Sequence, residues 1–389
     1  MNPHPLIPTL SSAGSRQLEP QLIATSRTCG AKRLLGVAAA SVALALSAHA
    51  AAAWQVVASG LNNPRGLDFA PNGALFIAES GTGGDGPELT GAEGPVKFGL
   101  TGSITRLWKG TQERIVTGLP SLAGEGGFAA SGPSGISFGP LGHAVLTIGL
   151  GQNPAVRDAK LGSAGAGLGS LYQLNQNGKL KLLADVAAFE GVTNADGKLP
   201  DSNPNGVYAD HSATFVADAG ANTLVQINAN GSMSIAAFFP ERLVPKPPFM
   251  GPGLMPMQAV PTNVVRGPDG ALYVSQLTGF PFPVGGARVY RVVPGSAPTV
   301  YAEGFTNIID LEFDAKGNLY VLEIDANGLL APEATGRLAR VNAAGGPVQT
   351  IASTGLVMPG GLAIGPDGGI YVTNFSTSPG AGEVVRIQP

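Results

Sequence analysis

The sequence predicts an all-β chain, a six-bladed β-propeller built from four-stranded blades. Three observations predict it. One short apolar strand recurs after a tight turn: "GALFIAE" (73–79), "HAVLTIG" (143–149), "SATFVAD" (212–218), "GALYVSQ" (270–276), "GNLYVLE" (317–323) and "GGIYVTN" (368–374). Turn formers are abundant, with 57 Gly and 32 Pro in 389 residues. No ten-residue amphipathic pattern lies between the apolar runs, which argues against a parallel α/β sheet. Recurrence at a near-constant period is the signature of a repeat architecture.

The first 53 residues stand apart from the repeats. Lys32 and Arg33 precede an apolar run from Leu34 to Leu46, followed by Ala48-His49-Ala50. A basic flank, a short apolar core and an A-x-A site read as a secretory signal peptide cleaved near Ala50. The run is short for a bilayer span, so no transmembrane anchor is expected in the mature chain. The expected location is therefore secreted or periplasmic. The single cysteine, Cys29, leaves with this leader, so a mature chain has no thiol for a disulfide or a Cys-ligated metal.

The domain then runs from 54 to 389. Its N-terminal stretch "WQVVASGL" (54–61) matches the fourth strand of the other units but has no first three strands before it. The last unit, ending at Pro389, lacks a fourth strand. The economical arrangement is a ring in which 54–61 pairs into the last blade and removes an exposed edge. Each first strand precedes the recurrent one: "PRGLDF", "PSGISF", "PNGVYA", "PTNVVR", "IIDLEF" and "GGLAI". Each third strand carries a long polar residue in an apolar frame: Arg106, Gln173, Gln226, Arg291, Arg340 and Arg386. That recurrence is expected to reflect packing between neighbouring units.

Strand parity assigns a functional face. The turns between first and second strands, and between third and fourth, are short. The connections 80–102, 150–168, 277–286 and 324–336, and also 119–131, 187–202 and 240–258, are long. Antiparallel order sends all the long connections to one side, where loops of that length usually serve a site. The ends of the second strands point there, placing Glu79, Asp218, Gln276, Glu323 and Asn374 around a mouth. Starts of the first strands add Arg65, Asn205 and Asp310. Only 13% of the chain is Asp, Glu, Lys or Arg, against about 25% usually, so this gathering stands out. Converging carboxylates would need a raised pKa, Arg65 or a cation, and hard oxygen donors favour Ca²⁺ or Mg²⁺. Glu79, Asn205, Asp218, Asp310, Glu323 and Asn374 are the candidate ligands. The alternative is structural: Asp and Asn at strand ends accept bonds from N–H groups of the next turn.

Other classes are disfavoured. A net charge of −3 without a basic stripe argues against nucleic acid. His143 and His211 fall in short turns on the opposite face, away from any mouth chemistry. Two long connections are apolar: "FFPERLVPKPPFMGPGLMPMQ" (238–258) and "LTGFPFPVGG" (277–286), the latter with Phe280 and Phe282. They would form a pocket for an apolar or aromatic molecule, or a lid packed on the propeller.

The stretches "GLNNPRGLDFAPNGALFIAESGTGGDGP", "DSNPNGVYAD", "AVPTNVVRGPDGALYVSQLTGFPFPVGGARVYRV" and "GFTNIIDLEFDAKGNLYVLE" resemble the ScyD/ScyE family, within the broader NHL and gluconolactonase-like propellers. The likeness covers nearly all of 54–389. It implies an exported propeller, auxiliary to secondary metabolism in the gene clusters that name the family. It implies no agreed reaction or catalytic residue. The gluconolactonase group binds a divalent cation with Glu, Asn and Asp; by place in the blade the likeness implies Glu79, Asn205 and Asp218 as metal ligands, which keeps a lactonase-type hydrolase open beside a small-molecule binder and a protein–protein platform. Relatives often carry cysteines where Glu88 and Lys97 stand here, which implies a looser loop.

Overall fold

The computed structural model describes residues 53–92, 94–175 and 178–388; the leader expected at the N-terminus lies outside them, except for Ala53. The chain forms six blades of antiparallel strands. Their first strands are Pro64–Phe69, Pro133–Phe138, Pro204–Ala209, Pro261–Arg266, Ile308–Phe313 and Gly361–Ile364, numbered here as blades 1 to 6. Each first strand touches the first strands of both neighbours, and that of blade 6 touches that of blade 1. The N-terminal strand Ala53–Leu61 pairs antiparallel with the last strand, Gly382–Gln388, setting Trp54 opposite Ile387.

The apolar pattern explains the packing. A strand buried on both faces reads as a continuous apolar run, as in Leu319–Glu323, which is buried throughout. Each pair of adjacent blades encloses its own apolar cluster. Leu67, Leu75 and Ile77 of blade 1 meet Ala363 and Val384 of blade 6 and Ala58 and Leu61 of the N-terminal strand. Val265, Tyr273 and Val289 of blade 4 meet Leu311, Leu319 and Val321 of blade 5.

The recurrent Pro-x-Gly opening of the first strands sets the closeness of the ring. A Cβ on Gly135 would lie 2.5 Å from the Asn205 carbonyl oxygen, and one on Gly66 2.8 Å from that of Ser134. Small hydroxyls on the second strands then stitch neighbours together. The Thr147 hydroxyl donates to the Asn205 carbonyl, and that of Thr373 to the Arg65 carbonyl at 2.8 Å. Asn263 and Asp310 replace the glycine in blades 4 and 5, and their side chains reach the axis instead.

Three findings go beyond the sequence reading. Five of the six recurrent polar residues of the third strands hydrogen-bond within their own blade, a brace not read from the sequence. Arg291 donates to Asp269 at 2.6 Å, Arg386 to Asp367 at 2.7 Å and Arg106 to Glu113 at 2.9 Å. Two long connections contain helices, Pro154–Leu161 and Val186–Thr193, capped by the side chains of Asn153 and Asp185. The stretch 238–258 is more than a plain connection: Arg242–Pro245 and Leu254–Met257 form a separate two-stranded hairpin.

Long connections of different blades bond to one another. Ala129 N–H donates to Thr377 O at 3.0 Å, Thr278 N–H to Ala259 O at 3.1 Å and Ser376 N–H to Met358 O at 2.9 Å. Glu88 stands opposite Lys97 in the register of a further hairpin, Glu88–Gly91 with the start of Gly94–Trp108. His143 and His211 are exposed in the short turns.

Candidate functional site

The residues at the ends of the second strands share one structural role, in which each holds the segment that leads into the first strand. Asn62 N–H donates to Glu79 at 2.7 Å, Asn203 N–H to Asp218 at 2.7 Å, Thr306 N–H to Glu323 at 2.5 Å and Val357 N–H to Asn374 at 2.8 Å. Geometry imposes this, because that segment must double back across the strand end with its N–H groups pointing inward. In blade 4 the same position is Gln276, whose Oε1 accepts from Arg242 of the extra hairpin at 3.4 Å. Its Nε2 is buried without a partner among the described residues.

The three acids differ in how their charge is met. Glu79 is fully buried and takes a two-pronged guanidinium from Arg114, at 2.9 and 2.8 Å, with the Thr105 hydroxyl on the same oxygen as the 2.9 Å bond. Glu323 is likewise fully buried against Arg337. Burial pushes Glu323 upward, and Arg337 works against it. Asp218 has no cation. It accepts from the Ser202 hydroxyl at 2.6 Å and from the N–H groups of Asn203, Gly220 and Ala221. Burial still raises it to about 6.

The partners of Glu79 come from 62–114 and those of Asp218 from 202–221, and among the described residues the two share no hydrogen-bond partner. Asn205, the third implied metal ligand, is engaged elsewhere. Its oxygen accepts from Ser134 and its amide donates to the Thr262 carbonyl at 2.9 Å. Among the described residues no three His, Cys, Asp or Glu groups form a set able to hold a metal ion. Arg65 donates to the Ala130 carbonyl at 2.8 Å.

A cavity of about 170 Å³ does follow the axis, lined by the first strands. Arg65, Ser134, Asn205, Asn263 and Asp310 line it, as does a second tier of Asp68, Tyr208 and Glu312 that sequence reasoning missed. Its signal was present: these side chains lie two residues beyond the Gly/Asn/Asp position, and a strand returns to the same face every second residue. Asp310 bridges blades, accepting from Asn263 and from Leu362 N–H at 2.7 Å. Asp68 does the same, accepting from Phe138 N–H at 2.7 Å. Burial raises Asp310 to about 7 and Asp68 to about 6. Burial, then the Asp68 and Asp310 charges, push Glu312 well above the usual carboxylate range. The cavity is smaller than the roughly 300–1,000 Å³ typical of small-molecule sites.

The apolar connections present a different surface. Phe280 and Phe282 stand edge to face with centroids 6.2 Å apart, outside the axial cavity. Phe282 is half-buried, and Phe280 is 36% exposed. Next to them the hairpin exposes Leu243 by 69%, Phe249 by 70% and Leu254 by 58%. The two segments are joined: Gly279 N–H donates to Gln258 O at 2.9 Å, and Arg242 donates to the Gly286 carbonyl.

Comparison with solved structures places this architecture. A protein of unknown function from Bacteroides thetaiotaomicron matches at a TM-score of 0.54 and 9% identity, over 86% of this chain and 75% of that one. A protein assigned as a gluconolactonase matches at 0.52 and 13%, over 87% and 93%. A luciferin-regenerating enzyme matches at 0.50 and 10%, over 87% and 95%. The shared feature is the six-bladed gluconolactonase-like propeller. At such identities it is the fold alone that is shared. No family model and no curated protein sequence matches the chain. No helix among the described residues is long and apolar enough to cross a membrane.

Proposed function

We propose that this chain is an exported propeller of the ScyD/ScyE type that binds an apolar partner on its long-loop face. The binding surface is the hairpin Arg242–Met257 with the adjoining connection 277–286. One observation carries the reading: large apolar side chains, Leu243, Phe249, Leu254 and Val284, are each exposed by more than half on two segments bonded to each other. Contiguous apolar surface on a soluble domain marks an interaction site. The mouth carboxylates favour binding over hydrolysis, because their oxygens are already engaged by N–H, hydroxyl and guanidinium donors. Burying a side chain such as Phe249 or Leu254 contributes roughly 1–2 kcal/mol when most of it starts exposed.

The test is titration with bis-ANS, a fluorescent probe of apolar surface. Wild-type protein should bind it saturably, and the double variant Phe249→Ser, Leu254→Ser should lose most of the signal at unchanged melting temperature. Equal binding by both proteins would move the site elsewhere.

A further inference from the structure

The surface can be assigned a partner. We propose that the hairpin Arg242–Met257 inserts into the headgroup boundary of an anionic phospholipid surface. This rests on the apolar-partner reading above and names the partner.

The alternation of the hairpin is inverted. A hairpin with one solvated face normally carries polar residues there. Register pairs Leu243 with Pro256 and Pro245 with Leu254, and all four are exposed on the outer face. The inner face is Arg242 with Met257 and Val244 with Met255; Val244 and Met257 are buried. At the tip, Phe249 is 70% and Met250 42% exposed. The apolar face lies on a hairpin outside the blade sheets. Exposed apolar side chains gathered on one face and the tip of such a hairpin can be submerged in a boundary layer.

The backbone suits that medium. Leaving a backbone N–H unpaired in lipid is costly. Five of the twelve residues from Pro245 to Pro256 are prolines and have no N–H. The N–H groups of Lys246, Met250 and Gly251 donate to the carbonyls of Gly253, Pro247 and Pro248.

Charge selects the kind of lipid. The hairpin holds two cations, Arg242 and Lys246, and no acid, on a chain of net charge −3. Neither cation is in an ion pair among the described residues, whereas Glu241 just before the hairpin pairs with Lys198. Arg242 lies on the inner face and donates to Gln276 and the Gly286 carbonyl, so Lys246 is the cation left for the headgroups. A basic side chain beside an apolar wedge favours anionic headgroups.

Vesicle flotation tests the assignment, using phosphatidylcholine vesicles with and without phosphatidylglycerol. The wild-type chain should float with the mixed vesicles and more weakly with phosphatidylcholine alone. Phe249→Ser with Leu254→Ser should cut the bound fraction at least about tenfold on both. Lys246→Glu should weaken binding several-fold on the anionic vesicles only, as a charge contact requires. Bis-ANS binding without flotation would overturn the lipid assignment and leave the apolar-partner reading standing. Loss of both would overturn the two together. A dimer in sedimentation velocity that the serine variant dissolves would assign the face to a second copy of the chain instead.

Discussion

Glu79 and Asp218 show how the same position solves one problem in two ways. Both end a second strand, both are fully buried and both hold the incoming segment. Glu79 is met by the Arg114 guanidinium, whereas Asp218 relies on four neutral donors. Removing one partner of a buried pair strands the other. Arg114→Ala should therefore cost about 2 kcal/mol or more, read as a lowered urea midpoint, although Arg114 is itself partly exposed. A midpoint equal to wild type would show that Glu79 does not depend on it. A second consequence concerns pH. Asp68 and Asp218 are raised to about 6, Asp310 to about 7 and Glu190 to about 8, in each case chiefly by burial. Unfolding would return them to about 4. Between those values the folded chain holds protons that the unfolded chain has released, so stability falls as pH rises. The melting temperature should thus be higher at about pH 5 than at about pH 8; a rise across that interval would contradict the burial of these groups. The acids at strand ends were legible from their place in the repeat. Their partners were not, because Arg114 lies 35 residues from Glu79 in the fourth strand, and a strand assignment does not say which side chain reaches across to the end of the second.

At the scale of the element, the Gly-Pro-Asp-Gly turns of blades 4 and 6 repeat one brace. Asp269 accepts from Tyr273, Arg291 and Ala271 N–H, and Asp367 from Tyr371, Arg386 and Gly369 N–H. Desolvation pushes both acids up, but the arginine, backbone N–H and tyrosine donors together with the arginine charge hold them below the usual range. Their contribution is present above about pH 4 and is lost as pH falls through the depressed folded value. The turns are solvent-exposed, so Asp367→Ala should cost only about 0.5–1 kcal/mol, measured by urea denaturation. A loss of several times that would mean the turn anchors the blade. The strands were legible because their apolar runs repeat. The helix Pro154–Leu161 announced itself only by Asn153-Pro154, an N-cap followed by proline at the first turn. The hairpin Arg242–Met257 was masked by its prolines, which demote a strand reading, and by an outer face that carries no polar alternation.

For the whole molecule, the ring sets the limits. First strands approach so closely around the axis that the position after Pro-x must be small in blades 1 to 3. Gly135→Ala would press a methyl against the Asn205 carbonyl and should cost about 1–3 kcal/mol, read as a lowered denaturation midpoint. Unchanged stability would mean that the blades can spread. The same closeness leaves a narrow axial cavity whose acids Asp68 and Asp310 link adjacent blades. Parity placed the elaborated face correctly from sequence, because antiparallel order leaves it no freedom. Which part of that face is apolar and uncovered depended on whether 238–258 folds back, and composition alone does not decide that. On the proposed reading, the mouth acids hold the segments that enter the blades and the hairpin binds the partner. Photolabelling with a hydrophobic diazirine, followed by peptide mapping, tests this division most directly. The account predicts label concentrated on 242–257 and 277–286; label concentrated on the first strands around the axis, with the hairpin unmarked, would contradict it.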